Sequence, residues 1–266
     1  MWVPETATAS GSAQSHLRTC WSQRWAEVSC PAQQLSGEVE LEWLDLALGV
    51  QASAVVWTAT QGLVAPLSYR RHTSLEDVRQ ASAERGWPVR LRRSGGGVVP
   101  QGPGILNITL AYPCRGTSAD YAESVYDHLC GTIATALATL DIDAFPRKVD
   151  GSFCDGRFNL AVLDRTGPGA IPAGVARKIA GTAQYWRSSN GTHAVLAHAL
   201  LLVDGDTDLL TAEANRFETA LGSGRTYDAA ALTSVAQAWA AAHPGSKIPT
   251  DLSTTVARRI AESLMQ

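Results

Sequence analysis

Three short stretches of the chain carry side chains able to bind or react with a small molecule. In GSFCDGRFNLAV (151–162), Cys154 sits between Gly151-Ser152 and Asp155-Gly156, in turn chemistry rather than in a packed run. In ARKIAGTAQ (176–184), Lys178 is flanked by small residues and followed by Gly181, which clears space around an ammonium group. In RRSGGGVVPQGPGILNITL (92–110), Arg92 and Arg93 run through Ser94 into the triplet Gly95-Gly96-Gly97. Only glycine lets another molecule lie directly on the main chain, and it accepts positive φ. A cation beside a thiol raises the thiolate fraction, so a cysteine and a lysine that meet would make a nucleophile. Each stretch also has a plainer reading: a glycine run can be a hairpin bend, a lone lysine is usually a surface residue, and most cysteines are inert core residues, as Cys114 and Cys130 read here.

Spacing limits what these groups can do together. Adjacent strand residues point to opposite faces, so at most one of Arg92 and Arg93 shares a face with a ligand at the glycines. The segment has neither the GK[ST] ending of a phosphate-binding P-loop nor GxGxxG spacing. Alternation places Lys178 with Ala180 on one side of its strand, and Arg177, Ile179 and Gly181 on the other. His193 and His198 fall on opposite sides of theirs and cannot hold one metal from a regular strand. His198, among Leu196, Leu200 and Leu202, reads as a satisfied core histidine before a catalytic one.

The elements that must position these groups are legible from periodicity. An amphipathic helix is predicted over 37–49, a strand over 54–60, a capped helix over 73–86, and a strand at 88–93 leading into the glycines. In 105–112, Leu106, Ile108, Leu110 and Tyr112 share one strand face, and Asn107 and Thr109 the other. A long helix is predicted from Ser118 to Leu140, a strand at 157–164 and a Gly/Pro-rich loop at 165–174. Strands follow at 175–186 and 192–203, the second almost wholly apolar and so central to its sheet. Helical patterns over 208–223, 228–243 and 251–264 complete the chain. The order implies an α+β (mixed α/β) fold with a helical tail. It divides into a flexible leader (1–35), a main domain (36–205) that holds all three stretches, and a helical C-terminal segment (206–266) packed on the same domain.

Composition narrows the class. The 266 residues are 45% hydrophobic and 18% charged, which suits one large domain with a full core. A formal net charge of −3 argues against a general nucleic-acid surface. No apolar run is long enough for a membrane span, and the first twenty residues lack the pattern of a secretory signal. The five cysteines (Cys20, Cys30, Cys114, Cys130, Cys154) are odd in number without CxxC spacing, which disfavours a disulfide framework and a zinc site. A reducing cytoplasm is the expected compartment, and no metal site is expected.

Taken in order, RRSGGGVVPQGPGILNITLAYP, ARKIAGTAQYWR and AHALLLVDGD resemble three separated motifs of the biotin/lipoate A/B protein ligase superfamily, over roughly residues 40–210. The resemblance implies a central mixed sheet flanked by helices. It implies that Gly95–Gly97 cradle an acyl chain, or an adenylate in ligases, and that Lys178 holds the activated carbonyl and phosphate oxygens. It also implies substrate contacts from Arg92, Arg93, Ser94, Asn107, Gly181, Thr182, Ala183 and His198. One departure matters: many ligases follow the triplet with a His-Asp pair, and here PQGPG (100–104) stands instead. GSFCDGRFNLAV is in turn similar to the segment of octanoyl amidotransferases whose cysteine accepts the acyl group, which lands that role on Cys154. The implied function is an acyltransferase moving an octanoyl or lipoyl group from an acyl donor to a lysine of a lipoyl-domain protein, of glycine cleavage H or 2-oxoacid dehydrogenase E2 type, without a cofactor. The alternatives are an ATP- and Mg-dependent lipoate-protein ligase, and a non-catalytic homologue that binds an acylated carrier.

Overall fold

A computed structural model describes residues 28–29, 34–35, 37–164 and 174–265. Most of the expected leader, with Cys20 and Cys30, and all but the last residue of the 165–174 loop lie outside them.

The secondary structure runs β1 (Val28–Ser29), α1 (Val39–Leu48), β2 (Ser53–Trp57), β3 (Gly62–Pro66), a 3-10 turn (Leu67–Arg71), α2 (Leu75–Glu84), β4 (Val89–Arg92), β5 (Val99–Gln101), β6 (Ile105–Cys114) and α3 (Ser118–Ala138). It continues with β7 (Ala144–Pro146), β8 (Leu160–Asp164), β9 (Val175–Ser189), β10 (Thr192–Leu202), α4 (Thr207–Leu221), a 3-10 turn (Ala229–Ala231), α5 (Val235–Ala242) and α6 (Leu252–Leu264). Seven strands form one sheet in the order β1-β2-β6-β10-β9-β8-β7, antiparallel except for the parallel β1–β2 pair. A second, three-stranded sheet has the order β4-β3-β5. The fold is the α+β class expected, with the apolar strand β10 in the middle of the large sheet. No described helix is long and apolar enough to cross a membrane.

Helix ends follow local chemistry. The α3 start is fixed by Thr117, whose N–H donates to the Asp120 carboxylate at 2.8 Å. Asp206 caps α4 by accepting from the N–H groups of Asp208 and Leu209, both at 3.0 Å. The helix ends at Gly222, which takes φ +69°.

Several expected boundaries shift. The strand expected from 157 begins at Leu160, because residues before it turn: the Asn159 N–H bonds the Gly156 carbonyl at 3.3 Å. The helix expected over 228–243 is interrupted, because Leu232 pairs in parallel with Lys178 of β9. Ser74 stands at the N-cap of α2 without a side-chain cap bond. Val28–Ser29 and Leu35, inside the expected leader, pair with β2 and with Ala59.

The period-2 pattern of the central strands decides where a site can lie. On β10, Val195, Ala197, Ala199 and Leu201 face the core shared with α3, α5 and α6, and Leu106, Ile108, Leu110 and Tyr112 of β6 join them. On the opposite face, Ala194, Leu196 and Ala111 lie beneath α1 with Leu44 and Ala47. Further along that face, Leu200, Leu202 and Ile105 join a second core with the small sheet and Phe217 of α4. Between these two apolar patches the face carries polar residues: Asn107 and Thr109 on β6 and His198 on β10. A cleft of about 630 Å³ opens there.

Candidate active site

The glycine turn is built around Arg92. Its guanidinium donates to Val64 O (2.8 Å), Gly95 O (2.9 Å) and Gly97 O (2.7 Å), folding the turn back onto β3 and β4. Burial draws the Arg92 pKa down, while the charges of Cys154 and Glu40 pull it up; arginine remains a cation throughout. Gly96 adopts φ +104°, and a β-carbon on it would collide with the Cys154 sulfur. A β-carbon on Gly97 would stand 2.7 Å from the Tyr227 hydroxyl. That hydroxyl and the one on Tyr69 each donate to Glu218 Oε1 at 2.7 Å. Burial, with Glu218 adding to it, pushes both phenol pKa values far up. Around Gly95 the same test meets only open space. Two of the three glycines thus make room for the protein's own thiol and phenol, and the triplet stands beside the cleft while Ser94 lines it.

Cys154 sits in the left-handed region, φ +55°. For a residue with a β-carbon this conformation costs on the order of 1–3 kcal/mol and persists only where surroundings enforce it. They do: its carbonyl accepts from Asn159 Nδ2 (2.6 Å), Lys178 Nζ (2.9 Å) and Gly156 N (2.9 Å). Asn159 is fully buried, and its Oδ1 accepts the Thr182 N–H at 3.1 Å, tying the cysteine turn to β9. The Thr182 hydroxyl adds a bond to Phe158 O at 2.7 Å. Asn159 was not singled out from the sequence; the signal available was an amide following the Gly-rich turn at the start of a strand.

Lys178 is 1% exposed and also donates to Phe153 O at 2.5 Å. Burial pushes its pKa down to about 8, against the upward pull of Cys154 and Asp155. Simple alternation is broken here. Lys178 pairs with Ala161 but Ala180 with Leu160, so β9 bulges at Ile179. Ile179 and Ala180 both enter the core, and Gly181 comes to the lysine's side. A β-carbon on Gly181 would lie 3.0 Å from Lys178 Nζ. The expected separation of Lys178 from Gly181 is therefore corrected: the bulge brings them together.

A third set of groups converges on the cleft. The Ser94 hydroxyl is 2.9 Å from His198 Nε2, and His198 Nδ1 lies 3.0 and 3.2 Å from the two oxygens of Glu40. Thr109 donates to Glu40 Oε1 at 2.7 Å and accepts from Trp57 Nε1 at 3.0 Å. Burial works against the Glu40 charge, but His198, Thr109 and Arg92 together outweigh it and hold the carboxyl below its usual range. Nothing in the spacing pointed to Glu40, which lies 158 positions from His198.

The structure thus gathers most of the anticipated residues. Cys154, Lys178, Arg92, Ser94, Asn107, Gly181, Thr182, Ala183 and His198 all line the cleft. Arg92 turns inward and Arg93 is exposed at the rim, 6.0 Å from the Tyr185 ring centroid. The Asn107 amide is engaged by Gln101 in a reciprocal pair of 2.8 and 3.0 Å, which makes it cleft floor. His193 lies off the site, bonded to Ser188.

The family model of the lipoyl protein ligase A/B catalytic domain matches residues 67–237. The chain belongs to this family. It is 47% identical over 207 residues to an uncharacterized protein of Cupriavidus necator, covering 75% of this chain and 79% of that one. It is 36% identical over 129 residues to the octanoyl-[GcvH]:protein N-octanoyltransferase of Kyrpidia tusciae, spanning 46% of this chain and 40% of that protein. Among solved structures, the bi-partite lipoate protein ligase of Thermoplasma acidophilum, studied with its E2 lipoyl domain, aligns over 90% of this chain and 84% of its own, with TM-score 0.55 and 18% identity. A lipoate-protein ligase A bound with ATP aligns over 89% of this chain and 94% of its own, with TM-score 0.51 and 14% identity. These two likenesses establish the lipoate-ligase catalytic fold. Membership makes the chain a lipoyl- or octanoyl-transfer enzyme in the general sense.

Proposed function

We propose that this protein is an acyltransferase of protein lipoylation, acting in the cytoplasm, that carries an octanoyl or lipoyl group as a thioester on Cys154 and delivers it to a lysine of a lipoyl-domain protein. The observation that carries the reading is the placement of the Cys154 sulfur against Gly96 while Lys178 Nζ holds the carbonyls of residues 153 and 154. A nucleophile is thereby held by an enforced backbone next to a buried cation. The octanoyltransferase relative supports the octanoyl-transfer part of this reading.

In the first half-reaction the Cys154 thiolate attacks the donor's acyl carbon, the new C–S bond forms, and the bond to the donor's heteroatom breaks. Lys178 has three N–H bonds, of which two go to backbone carbonyls. The third serves the oxyanion of the tetrahedral intermediate, where a fixed cation counts most. The acyl chain lies along Leu91, Val99, Leu196 and Leu200, which line the cleft. Arg70, Arg79, Arg90 and Arg93 stand around it and suit an anionic or acidic partner. In the second half-reaction a lysine amine of the acceptor attacks the thioester. The route uses no nucleotide.

The test is incubation with an octanoylated carrier and detection of a hydroxylamine-labile adduct on Cys154, lost in Cys154→Ala. Lipoate-dependent ATP–pyrophosphate exchange without an adduct would instead assign the ATP- and Mg-dependent ligase route. Carrier binding with neither signal would assign the non-catalytic reading.

A further inference from the structure

The Trp57–Thr109–Glu40–His198–Ser94 chain has a direction that its chemistry fixes. An indole N–H can only donate, so the Trp57 bond makes the Thr109 oxygen an acceptor and sends its hydroxyl proton to Glu40. An ionised carboxylate can only accept, so His198 Nδ1 must carry a proton toward Glu40. Neutral His198 then presents the bare lone pair of Nε2 to the Ser94 hydroxyl at 2.9 Å. A hydroxyl bonded to an imidazole, itself oriented by a carboxylate, is the arrangement that moves protons in acyl-transfer enzymes. It lies where a proton must move: Ser94, His198 and Glu40 all line the cleft. Ser94 is two residues from Gly96, placing its α-carbon within about 7 Å of the glycine that abuts the Cys154 sulfur.

We propose that Ser94 and His198, oriented by Glu40, form a proton relay that deprotonates the acceptor lysine for its attack on the acyl group held by Cys154. The inference rests on the thioester reading above. The lysine arrives as an ammonium ion and gives one proton to the Ser94 oxygen as the serine's own proton passes to His198 Nε2. The neutral amine attacks the thioester carbon, the C–N bond forms and the C–S bond breaks. The second amine proton leaves with the sulfur, restoring the Cys154 thiol, and the imidazolium returns its proton to solvent. The charged groups facing His198 are Glu40 from α1 and, through Glu40, Arg92 from β4, with Lys178 of β9 across the cleft. Lys178 remains the cation at the oxyanion. Ser94 is the catalytic residue, His198 the proton acceptor behind it and Glu40 a positioning residue.

The experiment compares two nucleophiles on the preformed Cys154 octanoyl adduct at pH 7. An alkylamine such as Nα-acetyl-lysine must first lose a proton, whereas hydroxylamine is already neutral. In Ser94→Ala and in the isosteric Glu40→Gln, the hydroxylamine-to-alkylamine rate ratio should rise on the order of 10²-fold, the low end of what general bases contribute. Raising the pH should recover alkylamine discharge. A ratio equal to that of the parent protein, with both nucleophiles slowed alike, overturns the relay and leaves the thioester standing. Absence of any Cys154 adduct in the parent protein overturns both.

Discussion

Gly96 has no side chain because the Cys154 sulfur occupies the space where a β-carbon would go. Gly96→Ala should push the thiol out of place and strain a backbone at φ +104°, costing about 1–3 kcal/mol of stability and most of the acyl-enzyme formation. Gly95→Ala meets open space and should change stability by no more than about 0.5 kcal/mol. Thermal melts and adduct mass spectra on the pair would check this; equal damage at both positions would contradict the geometry.

Gly181 stands to Lys178 as Gly96 does to the thiol. In Gly181→Ala the new methyl crowds an ammonium 3.0 Å away that is held by two carbonyls, and must push it aside by a few tenths of an ångström. Acyl transfer should fall on the order of 10²-fold, the scale of losing one oxyanion donor. Thermal stability should change little by comparison. Steady-state kcat set against Tm would check the separation.

Opposite pH trends should appear in stability and in activity. A lysine pKa held near 8 in the fold and near 10.5 when unfolded means that the unfolded chain binds more protons between those values. Stability contributed by this residue is therefore lowest below pH 8 and recovers as pH rises toward 10.5, by about 3 kcal/mol at most. Activity that needs the cation should decline over the same rise through about 8. Denaturant melts of Lys178→Met across pH 7–10.5 should lack the parent's upward slope.

Asn159 holds the cysteine carbonyl with one end of its amide and the β9 backbone with the other. Asn159→Ala leaves the part-buried Thr182 N–H without its acceptor and frees a strained turn, so a loss of about 1–3 kcal/mol is expected. Alkylation of the Cys154 thiol should also become faster as its turn loosens; an unchanged alkylation rate would show that the turn stands without the clamp.

Most of this architecture was legible in the chain, and the exceptions share a cause. The period-2 face of residues 105–112 placed β6 correctly, because a buried strand cannot slip register without inverting its core face, and the apolar run of 192–203 placed β10 at the centre of its sheet. The split between Arg92 and Arg93 followed from the same rule. The Lys178 bulge was hidden because alternation assumes an unbroken ladder, and the extra residue shows only in the pairing with β8. Glu40 was hidden because its helix reaches His198 through tertiary packing, which no local spacing reports. The strands β5 and β7, three residues each, carry too few residues for a period to register, and β3 begins on Gly62 and ends on Pro66, residues that read as turn signals.

The main chain of Lys178 is itself anchored from far away: its carbonyl accepts the Thr233 N–H at 2.9 Å, and Leu232 pairs beside it. Trimming the chain after β10 would therefore strip a peptide-level brace from the reactive ammonium as well as the outer helices. On this geometry the segment beyond residue 205 is a buttress for the chemistry, and a shortened enzyme should lose turnover even where its remaining sheet stays intact.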